Sequence, residues 1–272
     1  MKYLVVIADG MADEPIDILN DKTPLEYSEK PTLDFLAKNG FCGMVKTVPD
    51  GMSPGSDIAN LSIFGFDPKR YFTGRAPLEA VSIGINMNAS DVAFRCNLVT
   101  FREENNLTIM DDYSAGHITT EEAEKFINFI NEKIKVAGIS FYKGVSYRHL
   151  MIWNDGKYNL DLTPPHDIPD KPIKDYLPKG DGADFINGIM KISQEILKDC
   201  ELNRERKRNG KKEVSSIWLW GQGKKPSLMS FKEKFGIKGG VISAVDLIRG
   251  IGILAGLESI KVDGITGYID TN

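Results

Sequence analysis

The chain is poor in the residues that staple small secreted domains or build metal clusters. Its 272 residues include only three cysteines and three histidines. Cys42, Cys96 and Cys200 stand far apart with no C-x-x-C pair, which argues against a disulfide framework or a thiolate zinc site and for reduced thiols. Cys42 and Cys96 fall in strand-like runs and read as small core residues. His117, His149 and His166 all lie in the middle of the chain. The longest apolar candidate, a helix over residues 241–257, carries Asp246 and Arg249 and is too short for a bilayer. Asp9 breaks the first apolar run too early for a signal peptide. No G-x-x-x-x-G-K-[ST] string is present, so a nucleotide site would have to be of another kind. Positive charge is not in excess: 34 basic against 38 acidic residues leave a net charge of −4. That balance argues against a nucleic-acid partner. There is no internal repeat and no low-complexity tract. The expectation is a cytoplasmic protein with no membrane partner.

Two segments stand out from this ordinary background. Val5-Val-Ile-Ala-Asp9-Gly10 is a short apolar run ending in an aspartate and a glycine, the pattern by which a buried strand delivers a carboxylate to its tip. Residues 51–65, GMSPGSDIANLSIFG, form a Gly/Pro loop that leads into an apolar helix with Ser56 at its start. A hydroxyl there faces unpaired backbone N–H groups and the positive end of the helix dipole, which favour phosphate or a developing alkoxide. Asp9 as metal ligand and Ser56 as nucleophile would make a phosphotransfer site. The plainer alternatives are a turn at Asp9-Gly10 and simple helix capping by Ser56.

Periodicity supplies the organisation. Residues 3–8 and 41–47 read as strands around a helix at 32–39 that Gly40 stops in the left-handed C′ position. A second helix follows at 57–64, closed by Gly65, and the alternation predicts a parallel sheet with flanking helices. From about residue 86 the texture changes. Strands at 93–101 and 107–112 are joined by a polar turn. Thr119 and Glu122 have capping-box spacing ahead of a helix bearing Phe126, Ile127, Ile130 and Ile134. Strands at 139–142 and 146–153, a proline-rich loop at 163–172 and a helix at 185–197 complete an α+β unit. A strand at 216–220, the helix at 241–257 and a strand at 259–262 resume the βαβ texture. The expected domains are therefore 1–85 with 213–272, and an insert over 86–212.

The insert and its flanks carry the other polar candidates. In Tyr147-Arg148-His149, strand alternation sets Arg148 opposite its neighbours, and its guanidinium can fork onto a carboxylate or phosphate. A cross-strand salt bridge is the alternative. Arg204 and Arg206, in the basic run at 204–212, and Lys238 are further anion contacts, with a solvated helix end as the plain reading of the run. His166 follows Pro164-Pro165 in a rigid loop and reads as structural. Arg75, in Thr73-Gly-Arg-Ala-Pro77, is either a contact or the closure of an interdomain hinge.

Taken in order, MADEPI, KTPLEYSEKPTLDFLAKNG, PGSDIANLSIFGFDP, YFTGRAPLEAVSIGI, DYSAGHITTEEA, GVSYRHLMIW, TPPHDIP, NRERKRNGKK and GIKGGVISAVDLIRGIGILAGL resemble the archaeal-type, cofactor-independent phosphoglycerate mutases of the alkaline-phosphatase superfamily. The resemblance runs along essentially the whole chain. It implies an α/β fold, an alkaline-phosphatase-like parallel or mixed sheet with helices on both faces, interrupted by a smaller α+β substrate-handling domain. It implies that Asp9 and Ser56 are metal ligands, that Ser56 is transiently phosphorylated, and that two Mn²⁺ or Mg²⁺ ions serve the site without 2,3-bisphosphoglycerate. The substrate would be a phosphoglycerate, with His117 in a substrate-handling loop. Two departures accompany it. The family's later ligands, of the kinds D-x-x-x-H and G-D-H, have no counterpart here. Tyr113 and Ser114 stand where the archaeal pattern often has arginines. The first departure implies a chain lacking the last third of the usual protein, and the polar Ile269-Asp-Thr-Asn272 reads as the start of a further helix. The alternatives on this scaffold are a homoserine-kinase-like phosphotransferase or a phosphomonoesterase. A third is a non-enzymatic fragment that exposes an unpaired sheet edge.

Overall fold

The computed structural model describes residues 1–267; the polar tail at 269–272 lies outside them. The chain divides into two compact units, Met1–Lys46 and Thr47–Asn272.

The first unit holds two helices, α1 (Pro24–Tyr27) and α2 (Pro31–Asn39). Helix α1 opens with a complete capping box. Thr23 Oγ1 accepts from the Glu26 N–H at 3.1 Å, and the Glu26 carboxylate accepts from the Thr23 N–H at 2.9 Å. The strands expected at 3–8 and 41–47 do not form. Tyr3, Leu4, Val5 and Val6 are exposed, as are Phe41, Met44 and Val45. An extended run becomes a strand only when a neighbour takes its N–H and C=O groups, and none of the described strands pairs with either stretch. Cys42 is likewise exposed and not a core residue. Gly40 is extended (φ −111°), not left-handed; its place is fixed because a Cβ would meet the Leu36 carbonyl oxygen at 2.8 Å.

The second unit begins with α3 (Ser56–Ile63), α4 (Pro68–Tyr71) and α5 (Ala76–Ser82), and then enters the sheet. Its strands are β1 (Val92–Glu104), β2 (Leu107–Asp112), β3 (Ile139–Tyr142), β4 (Arg148–Trp153) and, much later, β7 (Ser216–Lys224). The spatial order is β2-β1-β4-β3, with β7 against the other edge of β1, and every pairing is antiparallel. Four of these strands are those of the expected α+β insert; the parallel sheet expected of residues 3–8, 41–47 and 216–220 does not form among the described residues. The turn between β1 and β2 explains the start of the antiparallel order: Asn105 (φ 51°) and Asn106 (φ 61°) are both left-handed, the two-residue turn that returns a strand antiparallel to itself. The strand at 216–220, expected to resume a βαβ pattern, instead lies antiparallel to β1 over Arg95–Val99, and its continuation to Lys224 reaches Val92. Short pairs complete the strands, β5 (Leu160–Asp161) with antiparallel β6 (Lys179–Gly180), and β8 (Gly240–Val241) with β9 (Glu258–Ser259). The last is the only parallel pairing among the described residues.

One face of the sheet carries the main core. Phe94, Cys96 and Leu98 from β1, Met151 from β4 and Ile217 and Leu219 from β7 meet α6 (Thr120–Lys133) and α7 (Ala183–Leu197). The expected stripe Phe126, Ile127, Ile130 and Ile134 is buried, as are Ile186 and Ile189 of α7. Beyond α8 (Glu201–Arg208) and α9 (Phe231–Phe235) comes α10 (Asp246–Leu254), nine residues where seventeen at 241–257 were expected. Its upstream residues pair in β8 instead. A second core joins Leu61, Phe66 and Leu78 to Leu247, Ile251 and Ala255. Gly250 permits this seam: a Cβ there would fall 1.9 Å from the Leu78 carbonyl oxygen. No described helix is long and apolar enough to cross a membrane.

Candidate functional site

Ser56 is exposed and is the first residue of α3, with Gly55, not Ser56, as the N-cap. Its hydroxyl therefore does no capping and stands among the helix's unpaired N–H groups. Asp57 takes one of these, accepting from the Ile58 N–H at 2.9 Å. Below it, Asn60 is buried and donates from Nδ2 to the Ser56 carbonyl at 2.8 Å, while its Oδ1 has no partner among the described residues.

Asp9 and Gly10 form a turn in the first unit, with Gly10 at φ 76° and the Met11 N–H donating to the Ala8 carbonyl at 3.3 Å. Asp9 is exposed. Among the described residues no group of three or more His, Cys, Asp or Glu side chains could hold a metal ion. Asp9 and Ser56 alone do not supply the oxygen and nitrogen donors of a two-ion site, so the residues described do not fit the implied metals.

The loop at 112–117 is built on Asp112. Its Oδ1 accepts from the Ser114 N–H (2.7 Å) and hydroxyl (2.6 Å), and its Oδ2 from the Gly116 N–H (3.2 Å). Partial burial alone would raise the Asp112 pKa, but these bonds and the Lys212 charge outweigh it and hold the group below the usual carboxylate range. Ser114 is thus the residue that closes the loop. His117 sits at its end, exposed, at φ 51°.

Arg206 is 2% exposed and holds this loop from beneath. Its Nε donates to the Lys212 carbonyl and Nη2 to the Ala115 carbonyl, each at 2.6 Å, and Nη1 pairs with Glu122 at 2.7 Å. A small ligand does not reach a guanidinium so enclosed. Glu122 is drawn to Arg206 and Lys211, so the expected capping box forms only by half: Thr119 accepts from the Glu122 N–H, and nothing returns. Arg204 is exposed and pairs with Glu201 at 3.4 Å, the solvated helix end. Lys238 is exposed on the loop before β8 and is not among the residues that contact the other candidates.

Arg148 is different. It begins β4 opposite Asn97 of β1, half-buried, and His149 beside it points into the other face. No carboxylate pairs with Arg148 among the described residues; its guanidinium lies over the Tyr147 ring at 5.5 Å. It shares a sheet face with residues that sequence reasoning passed over. Arg95 of β1 is buried, stacked on Trp220 of β7 at 4.3 Å, and bonded through Nε to Glu79 at 3.1 Å. Arg75 reaches the other oxygen of Glu79 at 2.9 Å. Trp220 donates to Asn97, which donates to the Tyr113 carbonyl, each at 3.0 Å. His166 packs edge-on between Trp220 (5.1 Å) and Tyr113 (6.2 Å). Burial lowers the His166 pKa, Asp167 opposes, and the Arg95 and Arg75 charges press it further down. Arg75 and Arg95 thus share the Glu79 carboxylate, Arg148 and His166 lie within charge range of Arg95, and Asp167 stands 3.8 Å from the His166 ring. The signal for Arg95 was present: a charge at the centre of Val-Ala-Phe-Arg-Cys-Asn-Leu-Val, a strand otherwise read as core.

An exposed serine at a helix start and a cationic, aromatic sheet face are thus the chemistry-bearing features of the second unit. Comparison with known proteins gives the class. The family described as 2,3-bisphosphoglycerate-independent phosphoglycerate mutase matches residues 37–203. A probable enzyme of that name from Geobacter sulfurreducens is 51% identical over 272 residues, all of this chain and 68% of its own length. The Methanosarcina acetivorans enzyme is 49% identical over 273 residues, again covering 68% of its length. Among solved structures, a Pyrococcus horikoshii protein superposes with a TM-score of 0.77 at 28% identity, over 97% of this chain and 62% of that one. A cofactor-independent phosphoglycerate mutase from Thermoplasma acidophilum gives 0.59 at 26% identity. The chain belongs to the 2,3-bisphosphoglycerate-independent phosphoglycerate mutase family and spans about two thirds of the length of its curated relatives.

Proposed function

We propose that this chain is the serine-bearing and substrate-binding part of a phosphoglycerate mutase that interconverts 3-phosphoglycerate and 2-phosphoglycerate in the cytoplasm, without 2,3-bisphosphoglycerate. The observation that carries the reading is the match of all 272 residues to enzymes of that name at 51% and 49% identity. The position of Ser56 supports it: an exposed hydroxyl at the first residue of α3 is free to attack, and the adjoining N–H groups stabilise the phosphoryl oxygens. In this reading Ser56 Oγ takes the phosphoryl group from one hydroxyl of the glycerate and returns it to the other. Arg148 holds the glycerate anion meanwhile, and His117 closes on it from the loop that Asp112 and Arg206 keep in place. Arg206 is thus assigned a positioning role. Arg204 and Lys238 stay as outer contacts for an approaching anion.

The divalent ions implied by the resemblance need donors beyond those described here, and we assign these to the third of the relatives' length that lies outside the match. The same segment is our candidate for the strands that would pair residues 3–8 and 41–47. A middle substrate-handling domain, set between residues 1–85 and the later part of the chain, is supported by the second core, which joins residues 61–78 to 247–255. The pairing of β7 with β1 favours drawing the insert's far boundary after residue 224.

The test is conversion of 3- to 2-phosphoglycerate with Mn²⁺ and without ATP, by the chain mixed with the remaining third of the Geobacter relative. Product is expected, and Ser56→Ala is expected to abolish it. Unchanged turnover in Ser56→Ala would overturn the mechanism.

A further inference from the structure

We propose that Arg75 and Arg95, braced on Glu79, form a clamp for one oxyanion group, a carboxylate or a phosphate, of a small acid. Each Glu79 oxygen accepts from the Nε of one arginine, Oε1 from Arg75 at 2.9 Å and Oε2 from Arg95 at 3.1 Å. The terminal nitrogens of both guanidinium groups have no hydrogen-bond partner among the described residues. An arginine that serves only an internal ion pair normally spends its fork on the carboxylate. Here each Glu79 oxygen takes a single Nε donor, and the terminal nitrogens of both forks are not spent on it.

The charge balance agrees. Two guanidinium groups share one carboxylate, and Arg148, with no carboxylate of its own, is close enough to act on Arg95 as a like charge. The Arg95 side chain is 8% exposed. Holding a cation there with donors unspent is costly unless an anion arrives to take them. The clamp is also fixed in place. Trp220 lies against the Arg95 guanidinium and stops it swinging out. Arg75 leaves a turn whose Gly74 (φ 139°) is packed onto the Gln222 carbonyl, where a Cβ would fall 1.9 Å from the oxygen, so no side chain can loosen the join between this turn and β7. Two forks held on a common carboxylate suit the bidentate geometry of carboxylate or phosphate oxygens.

The clamp rests on charge and geometry; that its oxyanion belongs to phosphoglycerate rests on the functional reading above. The experiment is calorimetric titration of the full chain with inorganic phosphate, with glycerate and with 3-phosphoglycerate. It is repeated for Arg75→Lys, Arg95→Lys, the double variant, and Arg102→Lys as an exposed control, with urea midpoints to verify folding. Lysine keeps the charge and loses the fork. About tenfold weaker binding is expected for each single variant at either clamp position, with none for Arg102→Lys. Arg75 is half-buried, so its variant stays informative should Arg95→Lys unfold. The double variant binding as tightly as the parent, or a parent that binds none of the three anions, overturns the clamp. Phosphate or glycerate binding that depends on both arginines, with no binding of 3-phosphoglycerate, sustains the clamp and defeats the mutase reading. Tight 3-phosphoglycerate binding indifferent to both arginines does the reverse. Comparing phosphate with glycerate tells which oxyanion the clamp takes.

Discussion

Residues 3–8 and residues 92–99 are both short apolar runs with strand composition, and they meet opposite fates. In β1, Val92 through Val99 is buried along its whole length, flanked by β4 and β7. In the first unit Leu4 is 88% exposed and Val6 77%. The difference does not lie in propensity, since strand-favouring residues are present in both, Tyr, Val and Ile in the first and Val and Phe in the second. It lies in partners. Hydrophobic pattern states that a segment needs burial; only the rest of the chain states against what. The two runs teach that an apolar strand without its neighbours is a demand left open.

The sharpest way to test that contrast is truncation in each region. Phe126→Ala, in the main core, is expected to cost about 3–5 kcal/mol. Phe41→Ala, in the first unit, is expected to change stability by less than about 0.5 kcal/mol. Urea unfolding reads both, and equal costs would mean that Phe41 is covered after all. Next in size comes Arg206→Ala, at about 2–3 kcal/mol, because the Ala115 and Lys212 carbonyls lose their donor and Glu122 the nearer of its two cations. Arg204→Ala, two residues away and solvated, should fall within about 0.5 kcal/mol. Gly250→Ala should cost about 1–3 kcal/mol by forcing α10 off the Leu78 backbone.

The smallest effect at neutral pH belongs to His149. Its ring is buried, Nδ1 accepts from the Gly144 N–H at 3.0 Å, and burial lowers its pKa to about 3. The unfolded chain takes up that proton near pH 6.5, the folded one only near 3. Stability from this group is therefore complete above about pH 6.5 and drains away as pH falls toward 3. His149→Asn, which keeps an acceptor for Gly144, should show a flatter profile between pH 6.5 and 5. Parallel profiles for the two proteins would rule this out.

The secondary structure of the second unit was largely legible. Gly65 closing α3, the stripe of α6 and the strands at 107–112 and 139–142 all stand where periodicity set them. Sheet direction was not, because an apolar strand looks the same whether its neighbour runs with it or against it; the left-handed Asn105-Asn106 turn was the local sign. The helix start at Ser56 and the place of Arg148 on a strand were legible from loop chemistry and strand alternation. Arg206 was misjudged as a ligand contact because a basic run looks solvated until one of its members is found buried. Arg75 and Glu79 are an i,i+4 pair that spacing alone could have shown, but Arg95 joins them only through the packing of α5 against β1, which no local pattern encodes.

The account stands or falls on the phosphoryl group passing through Ser56. The reconstituted mixture, turning over 3-phosphoglycerate with Mn²⁺, would be quenched in acid and its peptides read by mass spectrometry. The account predicts phosphoserine at residue 56, at no other hydroxyl of residues 51–65, and only when substrate is present. Turnover with an unmodified Ser56, or a phosphoryl group trapped on another residue, would contradict it.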